Sequence, residues 1–282
     1  MNLCIAYPNR SSYSETFIRN HIQELKPTRA IYEGWYPAVQ SDGTPVLPFP
    51  LRYPLIRGTL RNLVPYPYHT LHSHCLTRYL RNNRIEVLLA EYGQMGVSLS
   101  DACVRAGVPF VVHFHGADAY HYATLTKYGT AYRTMFERAA AIVVVSTDMK
   151  KQLLGLGADE QKISYNPYGV DVQKFYGANP VMAPPLFVAV GRFTEKKAPH
   201  ATLRAFAQVV AAVPEARLVM VGDGELWEQS RQLAAELGIA PAVEFAGVQL
   251  PEKIAEISRT ARAFVQHSQR AASGDSEGTL GG

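Results

Sequence analysis

One stretch decides the fold class: residues 186–200, which read L-F-V-A-V-G-R-F-T-E-K-K-A-P-H. Leu186–Val190 is a short apolar run typical of a buried strand, and the helical pattern Ala201–Val213 follows it closely. Backbone N–H groups at a helix start attract anions. Arg192 is suited to bidentate contact with phosphate oxygens, and Lys197 adds a compact positive charge. A polar strand-to-helix loop with surface charges fits the same residues, so both interpretations stay open at this point.

The same alternation runs along the whole chain and predicts parallel strands joined by helices. Further strands are expected at Leu3–Tyr7, Ile31–Glu33, Val87–Ala90, Val111–Phe114, Ile142–Val145, Arg217–Val221, Val243–Phe245 and Ala263–Gln266. Further helices are expected at Ser14–Leu25, Leu71–Arg81, Val97–Ala106, Thr130–Ala140, Asp148–Leu154, Glu225–Glu236 and Glu252–Ser258. The proline-rich segment Asp42–Tyr68 is interpreted as a loop with one short helix.

The length of 282 residues suits two doubly wound α/β lobes. Asn179–Pro185 contains three prolines and interrupts the alternation, so it is interpreted as a hinge. This places the first lobe at residues 1–178 and the second at 186–282. Ligands of such lobes bind at the carboxyl ends of the strands, and two facing lobes create a cleft.

Composition indicates an ordinary globular protein, with 47% hydrophobic and 18% charged residues. The chain has three cysteines, Cys4, Cys75 and Cys103. Their odd number and their spacing, which matches no metal site, favour a reducing compartment. No uninterrupted apolar run approaches the roughly 18 residues that a membrane span needs. The N-terminus lacks the basic start and apolar core of a signal peptide. We therefore expect a cytoplasmic protein.

A basic stretch, Gly43–Ile85, contains six arginines and no Asp or Glu, although the net charge of the chain is only +4. Such a patch is suited to anionic lipid or nucleic acid, and a solvated arginine-rich surface is the alternative. Because leucines and an isoleucine are interspersed with the arginines, we expect peripheral contact with an anionic membrane, at the inner face of the plasma membrane, and no nucleic acid partner.

A second candidate segment, His115-Gly116-Ala117-Asp118, directly follows the predicted strand Val111–Phe114. His115 should project at the carboxyl edge of the sheet, and Gly116 allows close approach to the backbone. Asp118 is expected either to orient this loop or to cap a helix. His113 is expected to point to the opposite face of the strand and is not included among the candidates.

Other chemistries lack their motifs. The chain has no D-x-D pair for a metal-bridged diphosphate and no H-E-x-x-H or P-loop signature. A pair of carboxylates suited to glycoside hydrolysis cannot be assigned.

Residues 191–199 resemble the G-R-x-x-x-K-K-G loop of family-4 glycosyltransferases (glycosyl transferases group 1), with Ala198 at the position of the last Gly. A position with positive φ would disfavour that alanine. Five more motifs match in chain order: Ser14–Ile18 (S-E-T-F-I), His115–Asp118 (H-G-x-D), Gly169–Phe175 (G-V-D followed by Phe), Val221–Gly224 (G-x-G) and Gly274–Gly278 (the start of E-x7-E). The first of these resembles a subgroup of exopolysaccharide and colanic-acid-type transferases.

The resemblance implies a GT-B fold, with an acceptor-binding first lobe and a nucleotide-sugar-binding second lobe. It implies transfer of a hexosyl-type sugar with retention to a polysaccharide or lipid-linked glycan precursor, without a metal or other cofactor. Arg192 and Lys197 would stabilise the departing diphosphate, His115 and Glu277 would shape the sugar site, and Asp118 would support it. The donor-binding glycines would be Gly191, Gly222, Gly224 and Gly278.

The resemblance also predicts an incomplete second lobe. The second Glu of the E-x7-E motif, which usually holds the ribose, falls eight positions after Glu277, and the chain ends at Gly282. We therefore expect a C-terminally truncated chain without transferase activity. Two alternatives stay open: a sugar-nucleotide epimerase on the same fold, and a non-catalytic fragment or partner of another chain.

Overall fold

The structure is a computed structural model that describes residues 1–9, 16–48, 51 and 53–278, with the backbone alone at 66 and 67. Its contacts divide the chain between Tyr168 and Gly169 into two units, and Gly278 is grouped with the first. The division precedes the sequence-based boundary at residue 178, and the predicted hinge lies within the second unit. Ser14 and Glu15 of the S-E-T-F-I segment lie outside the described residues.

A seven-stranded sheet forms the centre of the first unit, with the order β3-β2-β1-β4-β5-β6-β7. The strands are β1 (Leu3–Ala6), β2 (Arg29–Tyr32), β3 (Val39–Gln40), β4 (Val87–Glu91), β5 (Phe110–His113), β6 (Ala141–Val144) and β7 (Ile163–Tyr165). Only β3 pairs antiparallel among these strands. Every residue of β1 is buried, as expected for a parallel strand covered on both faces.

Seven helices belong to the described part of the first unit. They are α1 (Thr16–Leu25), α2 (Pro54–Leu63), α3 (Pro65–Asn82), α4 (Gly93–Ala106), α5 (Ala117–Tyr120), α6 (Tyr122–Arg138) and α7 (Thr147–Gly155). The expectation of a loop with one short helix at Asp42–Tyr68 is wrong, because α2 and the start of α3 occupy its second half. Pro54 and Pro65 each begin a helix, where the missing N–H costs nothing, rather than breaking one.

A four-stranded parallel sheet forms the described second unit, with the order β10-β9-β8-β11. Its strands are β8 (Leu186–Val190), β9 (Arg217–Val221), β10 (Val243–Gly247) and β11 (Ala263–Phe264), and its helices are α8 (Pro199–Ala212), α9 (Trp227–Glu236) and α10 (Pro251–Thr260). Alternate residues of β9 enter two different apolar clusters: Leu218 and Met220 pack with Phe206, while Val219 and Val221 lie in the other. Both faces of this strand are therefore covered.

Helix α3 buries His72 completely in the first unit. Its Nε2 donates a hydrogen bond to the carbonyl oxygen of Pro37 at 3.0 Å, while its buried Nδ1 has no hydrogen-bond partner among the described residues. Burial lowers the pKa of His72 to about 4, because the charged ring cannot be solvated there. The folded protein therefore holds this ring neutral at a pH where the unfolded chain already binds a proton.

This difference predicts acid sensitivity. The unfolded ring titrates near pH 6.5, so the stability that His72 contributes is complete above that pH and is lost as the pH falls toward 4. The free energy of unfolding should fall by about 1.4 kcal/mol per pH unit from this group alone. Urea unfolding between pH 7 and 4.5 measures how the free energy of unfolding changes with pH. This slope should be shallower in His72→Gln by up to about 1.4 kcal/mol per pH unit, which is what one bound proton contributes. His74→Gln, an exposed position on the same helix, is the control, and equal slopes in the two variants would contradict the prediction.

Candidate functional site

The predicted anion-binding loop follows β8 directly. Gly191 and Arg192 leave the strand, a single 3₁₀ turn spans Glu195–Lys197, and α8 begins at Pro199. Ala198 adopts the left-handed conformation with φ of 44° and is completely buried. The position that usually holds Gly in the resembled motif therefore does have a positive φ here.

Two lysines of this loop are paired with carboxylates from the end of the described chain. Lys197 Nζ lies 3.1 Å from an oxygen of Glu277, and Lys196 Nζ lies 3.1 Å from an oxygen of Asp275. Lys196 also approaches Glu277 at 3.9 Å. Lys196 and Asp275 were not predicted as site residues, although both lie inside the quoted motifs. Arg192 is exposed, and its guanidinium has no hydrogen-bond or ion-pair partner among the described residues.

The carboxylates are held in place by the segment that precedes them. The Gln269 N–H donates to the carbonyl oxygen of Lys196 at 2.8 Å, and the Ala272 N–H donates to Glu195 Oε1 at 2.9 Å. One oxygen of Glu277 and one of Asp275 are buried without a hydrogen-bond partner among the described residues. The loop after β8 thus supplies cations, and the carboxylates of Asp275 and Glu277 beside it keep oxygens that can accept further hydrogen bonds.

Gly222 and Gly224 bring the loop after β9 against the loop after β8. Both have a positive φ, 133° and 153°. A Cβ at Gly222 would overlap the carbonyl oxygen of Gly191, and a Cβ at Gly224 would lie 2.6 Å from that of Phe193. These glycines are therefore needed for close backbone approach within the second unit.

The first unit contains a cluster of ionisable side chains that we call the Glu91 cluster: Glu91, His21, His113 and His115. Glu91 ends β4 and is completely buried. Its two oxygens lie 2.8 Å from His21 Nδ1 and 2.8 Å from His115 Nε2. Burial raises the pKa of Glu91, but the hydrogen bonds from His115 and His21 outweigh burial and hold the pKa at about 2.

His115 follows β5 at the carboxyl edge of the sheet, as predicted, but both of its ring nitrogens are engaged. Nε2 bonds Glu91 and Nδ1 bonds the hydroxyl of Tyr168, while the Phe17 ring stacks on the imidazole at 4.2 Å. Contact of this ring with a sugar would require one of these bonds to break. A Cβ at Gly278 would overlap the carbonyl oxygen of His115, so the backbone passes closely there.

His113 belongs to the Glu91 cluster, and the expectation that it points away from His115 is wrong. The two rings lie 4.4 Å apart, because residues two apart along an extended chain share a face. Glu91 and His21 were missed. The signal for Glu91 was available: it ends a strand adjacent to β5, and carboxyl ends of parallel strands meet at one edge. His21 lies on α1, and nothing in the sequence alone places that helix beside β4.

Asp118 orders the loop after β5. Its buried carboxylate accepts hydrogen bonds from the N–H groups of Gly93, His115 and Gly116 at 2.9–3.0 Å. Burial raises the pKa of Asp118, while these N–H groups and His115 oppose that shift. Gly116, rather than Asp118, is the N-cap residue of the short helix α5.

With this geometry established, comparison with known families is decisive. Residues 26–169, half of the chain, match the family described as glycosyl transferase 4-like domain, and residues 175–279 match glycosyl transferases group 1. The chain belongs to the glycosyltransferases. The predicted family is thereby confirmed at this level.

Relatives and solved structures agree with this assignment. The putative colanic acid biosynthesis glycosyltransferase WcaL of Escherichia coli is 28% identical over 202 residues, which cover 69% of this chain and 49% of that protein. The D-inositol 3-phosphate glycosyltransferase of Nocardia farcinica is 27% identical over 85% of this chain and 55% of its own length. The chain thus spans about half the length of the curated relatives it matches.

The fold is also that of solved glycosyltransferase structures. Anabaena HepE, in complex with UDP and glucose, superposes with a TM-score of 0.70 at 15% identity over 95% of this chain and 74% of that one. The lipopolysaccharide outer core galactosyltransferase WaaB gives 0.63 at 17% identity, with the same coverage of each chain. The predicted GT-B fold class with Rossmann-like lobes is confirmed.

The left-handed alanine in the glycosyltransferase loop predicts an unusual substitution effect. An L-residue in this conformation costs about 1–2 kcal/mol, which Gly avoids. Gly loses about 0.5–1 kcal/mol through chain entropy, and the buried methyl group is lost as well. The strain that Gly relieves offsets these two losses, so Ala198→Gly should change the free energy of unfolding by less than about 1 kcal/mol in either direction.

The matched control is Ala205→Gly, at an exposed interior position of α8, which should lower stability by about 1 kcal/mol. Chemical denaturation of the three proteins measures both values. An equal loss in the two variants would show that the left-handed conformation at Ala198 carries no strain.

Proposed function

We propose that the chain provides the donor and acceptor machinery of a retaining glycosyltransferase. It would bind a nucleotide-sugar in the second unit and transfer a hexosyl-type sugar to a polysaccharide or lipid-linked glycan precursor. The observation that carries this proposal is the loop after β8, where exposed Arg192 and two lysines surround a helix start and face carboxylates with unused acceptor capacity.

The charges of the loop suit a departing diphosphate. Arg192 offers a planar set of donors, and Lys197 offers an ammonium group, so both can stabilise negative charge as it develops on the leaving group. No step needs a metal ion in this scheme. The acceptor hydroxyl would approach the same face from which the diphosphate leaves, which accounts for retention.

Glu277 and Asp275 would then bind the sugar. Each has a buried oxygen without a hydrogen-bond partner among the described residues, and a carboxylate oxygen accepts hydrogen bonds from hydroxyl groups. The ion pair between Lys197 and Glu277 would orient the carboxylate before the donor binds. In the first unit, Asp118 and the Glu91 cluster would hold the backbone near His115 in position.

The names of the similar proteins support the donor and acceptor classes. HepE was solved with UDP and glucose, and with UDP-glucose, which favours a uridine nucleotide-sugar as the first donor to test. WcaL is named for colanic acid biosynthesis, which favours a polysaccharide acceptor of the predicted subgroup.

Substitutions in the loop test the donor site. Arg192→Ala and Lys197→Ala should each reduce sugar transfer by roughly 10²–10³, the scale of removing one preorganised donor. Both should also weaken binding of UDP, measured by calorimetry on the full chain. Arg204→Ala, an exposed arginine on α8, is the control and should change neither value.

The outcomes separate the parts of this proposal. Near-normal transfer and UDP affinity in both loop variants would remove the loop from the donor site. UDP binding that depends on the loop, without transfer by the unaltered chain, would support the donor site but contradict catalysis by this chain alone. Conversion of the donor in the absence of any acceptor would favour an epimerase.

We further propose that α2 contacts an anionic membrane from the cytoplasmic side. Its side chains Leu55 and Leu63 are 86% and 75% exposed, and Arg61 is exposed beside them. Arg57 does not contribute, because it is buried and paired with Glu33. Arg52 lies outside the described residues. Within the described ranges, no helix is long and apolar enough to cross a bilayer.

Flotation with vesicles containing phosphatidylserine tests this contact. The chain should bind at low salt and lose binding as salt rises, because each basic residue near the surface contributes about 1 kcal/mol that is screened. Leu55→Ser combined with Leu63→Ser should weaken binding about tenfold or more. Val104→Ser, which removes an exposed apolar side chain from α4, is the control. No binding at low salt would remove the proposal.

A further inference from the structure

The Glu91 cluster joins three elements that are distant in sequence. His21 comes from α1, Glu91 ends β4, and His113 ends β5. His21 and Glu91 are in hydrogen-bond contact, and the rings of His21 and His113 stack with centroids 5.1 Å apart. The parallel sheet places the last residues of β4 and β5 opposite each other, since Glu91 and His113 are register partners.

The carboxylate at the centre of this cluster lacks a permanent cation. Glu91 is completely buried, and its ion-pair partners are His21, His113 and His115. No lysine or arginine pairs with it in the part of the chain that the structure describes. A buried carboxylate is costly unless a positive charge compensates it, and an imidazole does so only when protonated.

His113 adds a second, independent observation. Its ring is buried, and Nε2 has no hydrogen-bond partner among the described residues. Its Nδ1 lies 3.8 Å from the nearer oxygen of Glu91, too far for a hydrogen bond. A buried imidazole with an unpartnered nitrogen next to a buried carboxylate is uncommon and calls for a ligand.

We propose that His21, Glu91 and His113 bind one divalent transition-metal ion of the Zn²⁺ class. Each residue offers one ligand atom, and the three atoms lie within 4.8 Å of one another. Ligand atoms at about 2.0–2.2 Å from Zn²⁺ in a tetrahedral arrangement are about 3.4 Å apart, so small side-chain rotations complete the site. Two imidazole nitrogens and one carboxylate oxygen form a donor set that suits Zn²⁺ rather than Mg²⁺.

The surroundings fit such an ion. His115 hydrogen-bonds the Glu91 oxygen that His21 does not contact, so it would orient the ligating carboxylate from outside the coordination sphere. The side chain of His21 is 23% exposed, which provides an entry path. On binding, His21 would coordinate through Nδ1 with its proton on Nε2, and metal coordination replaces the hydrogen bond between His21 Nδ1 and Glu91.

Metal binding to the full chain tests the proposal directly. After treatment with EDTA and dialysis, the chain should take up one Zn²⁺ or one Co²⁺, with a higher thermal midpoint and a Co²⁺ visible spectrum typical of tetrahedral coordination. Mg²⁺ should produce neither effect. His21→Gln and His113→Gln should each weaken Zn²⁺ binding a hundredfold or more, since each removes a direct ligand.

His74→Gln removes an exposed histidine from α3 and should bind Zn²⁺ as the unaltered chain does. His113 is buried and its variant is open to a folding defect, so the partly exposed His21 provides the second, safer substitution. Absence of stoichiometric Zn²⁺ and Co²⁺ binding, or binding unaffected by His21→Gln, would overturn the proposal.

The metal site and the donor site are tested separately. Residues of the Glu91 cluster belong to the first unit, whereas Arg192 and Lys197 belong to the second. UDP affinity, measured on the same EDTA-treated and Zn²⁺-loaded samples, should not depend on the metal. Failure of UDP binding would therefore leave the metal site standing, and failure of Zn²⁺ binding would leave the donor site standing.

Discussion

The rest of the structure depends on one constraint: both faces of each parallel sheet are covered by apolar packing. Alternate residues of β9 enter separate apolar clusters, and β1 is buried throughout. Polar chemistry is therefore excluded from the middle of the strands and collects where they end. Glu91, His113 and the loop that begins at Gly191 all lie at such ends.

The two units differ in how the charged groups at the strand ends are compensated. In the second unit the central groups are lysine ammonium groups, and the carboxylates of Asp275 and Glu277 compensate their charge. In the first unit the central group is a buried carboxylate, and its ion-pair partners among the described residues are imidazoles. An arrangement of permanent cations suits an anionic leaving group, whereas an arrangement of imidazoles around a carboxylate suits a metal ion.

Close backbone approach is the second recurring device. Gly222 and Gly224 let one loop lie directly against another, and the resulting contact leaves no space for a Cβ. Ala198 occupies a left-handed position in the same region, where its side chain is tolerated but strained. The loops after β8 and β9 are thus shaped by backbone geometry as much as by charge, which explains why glycines recur in their motifs.

The sequence by itself determined the fold class, most of the strands and the position of the charged loop after β8. These depend on local patterns: apolar runs, helical periodicity, and a Gly-Arg start followed by two lysines. It did not show that Pro54 and Pro65 begin helices, because a proline in a loop and a proline at a helix start look alike without the packing that follows. Only the tertiary structure brought His21 to Glu91 and His113. A helix and two strands that are far apart in the chain meet there through packing, and a lone histidine on an amphipathic helix carries no local signal of the carboxylate it will contact.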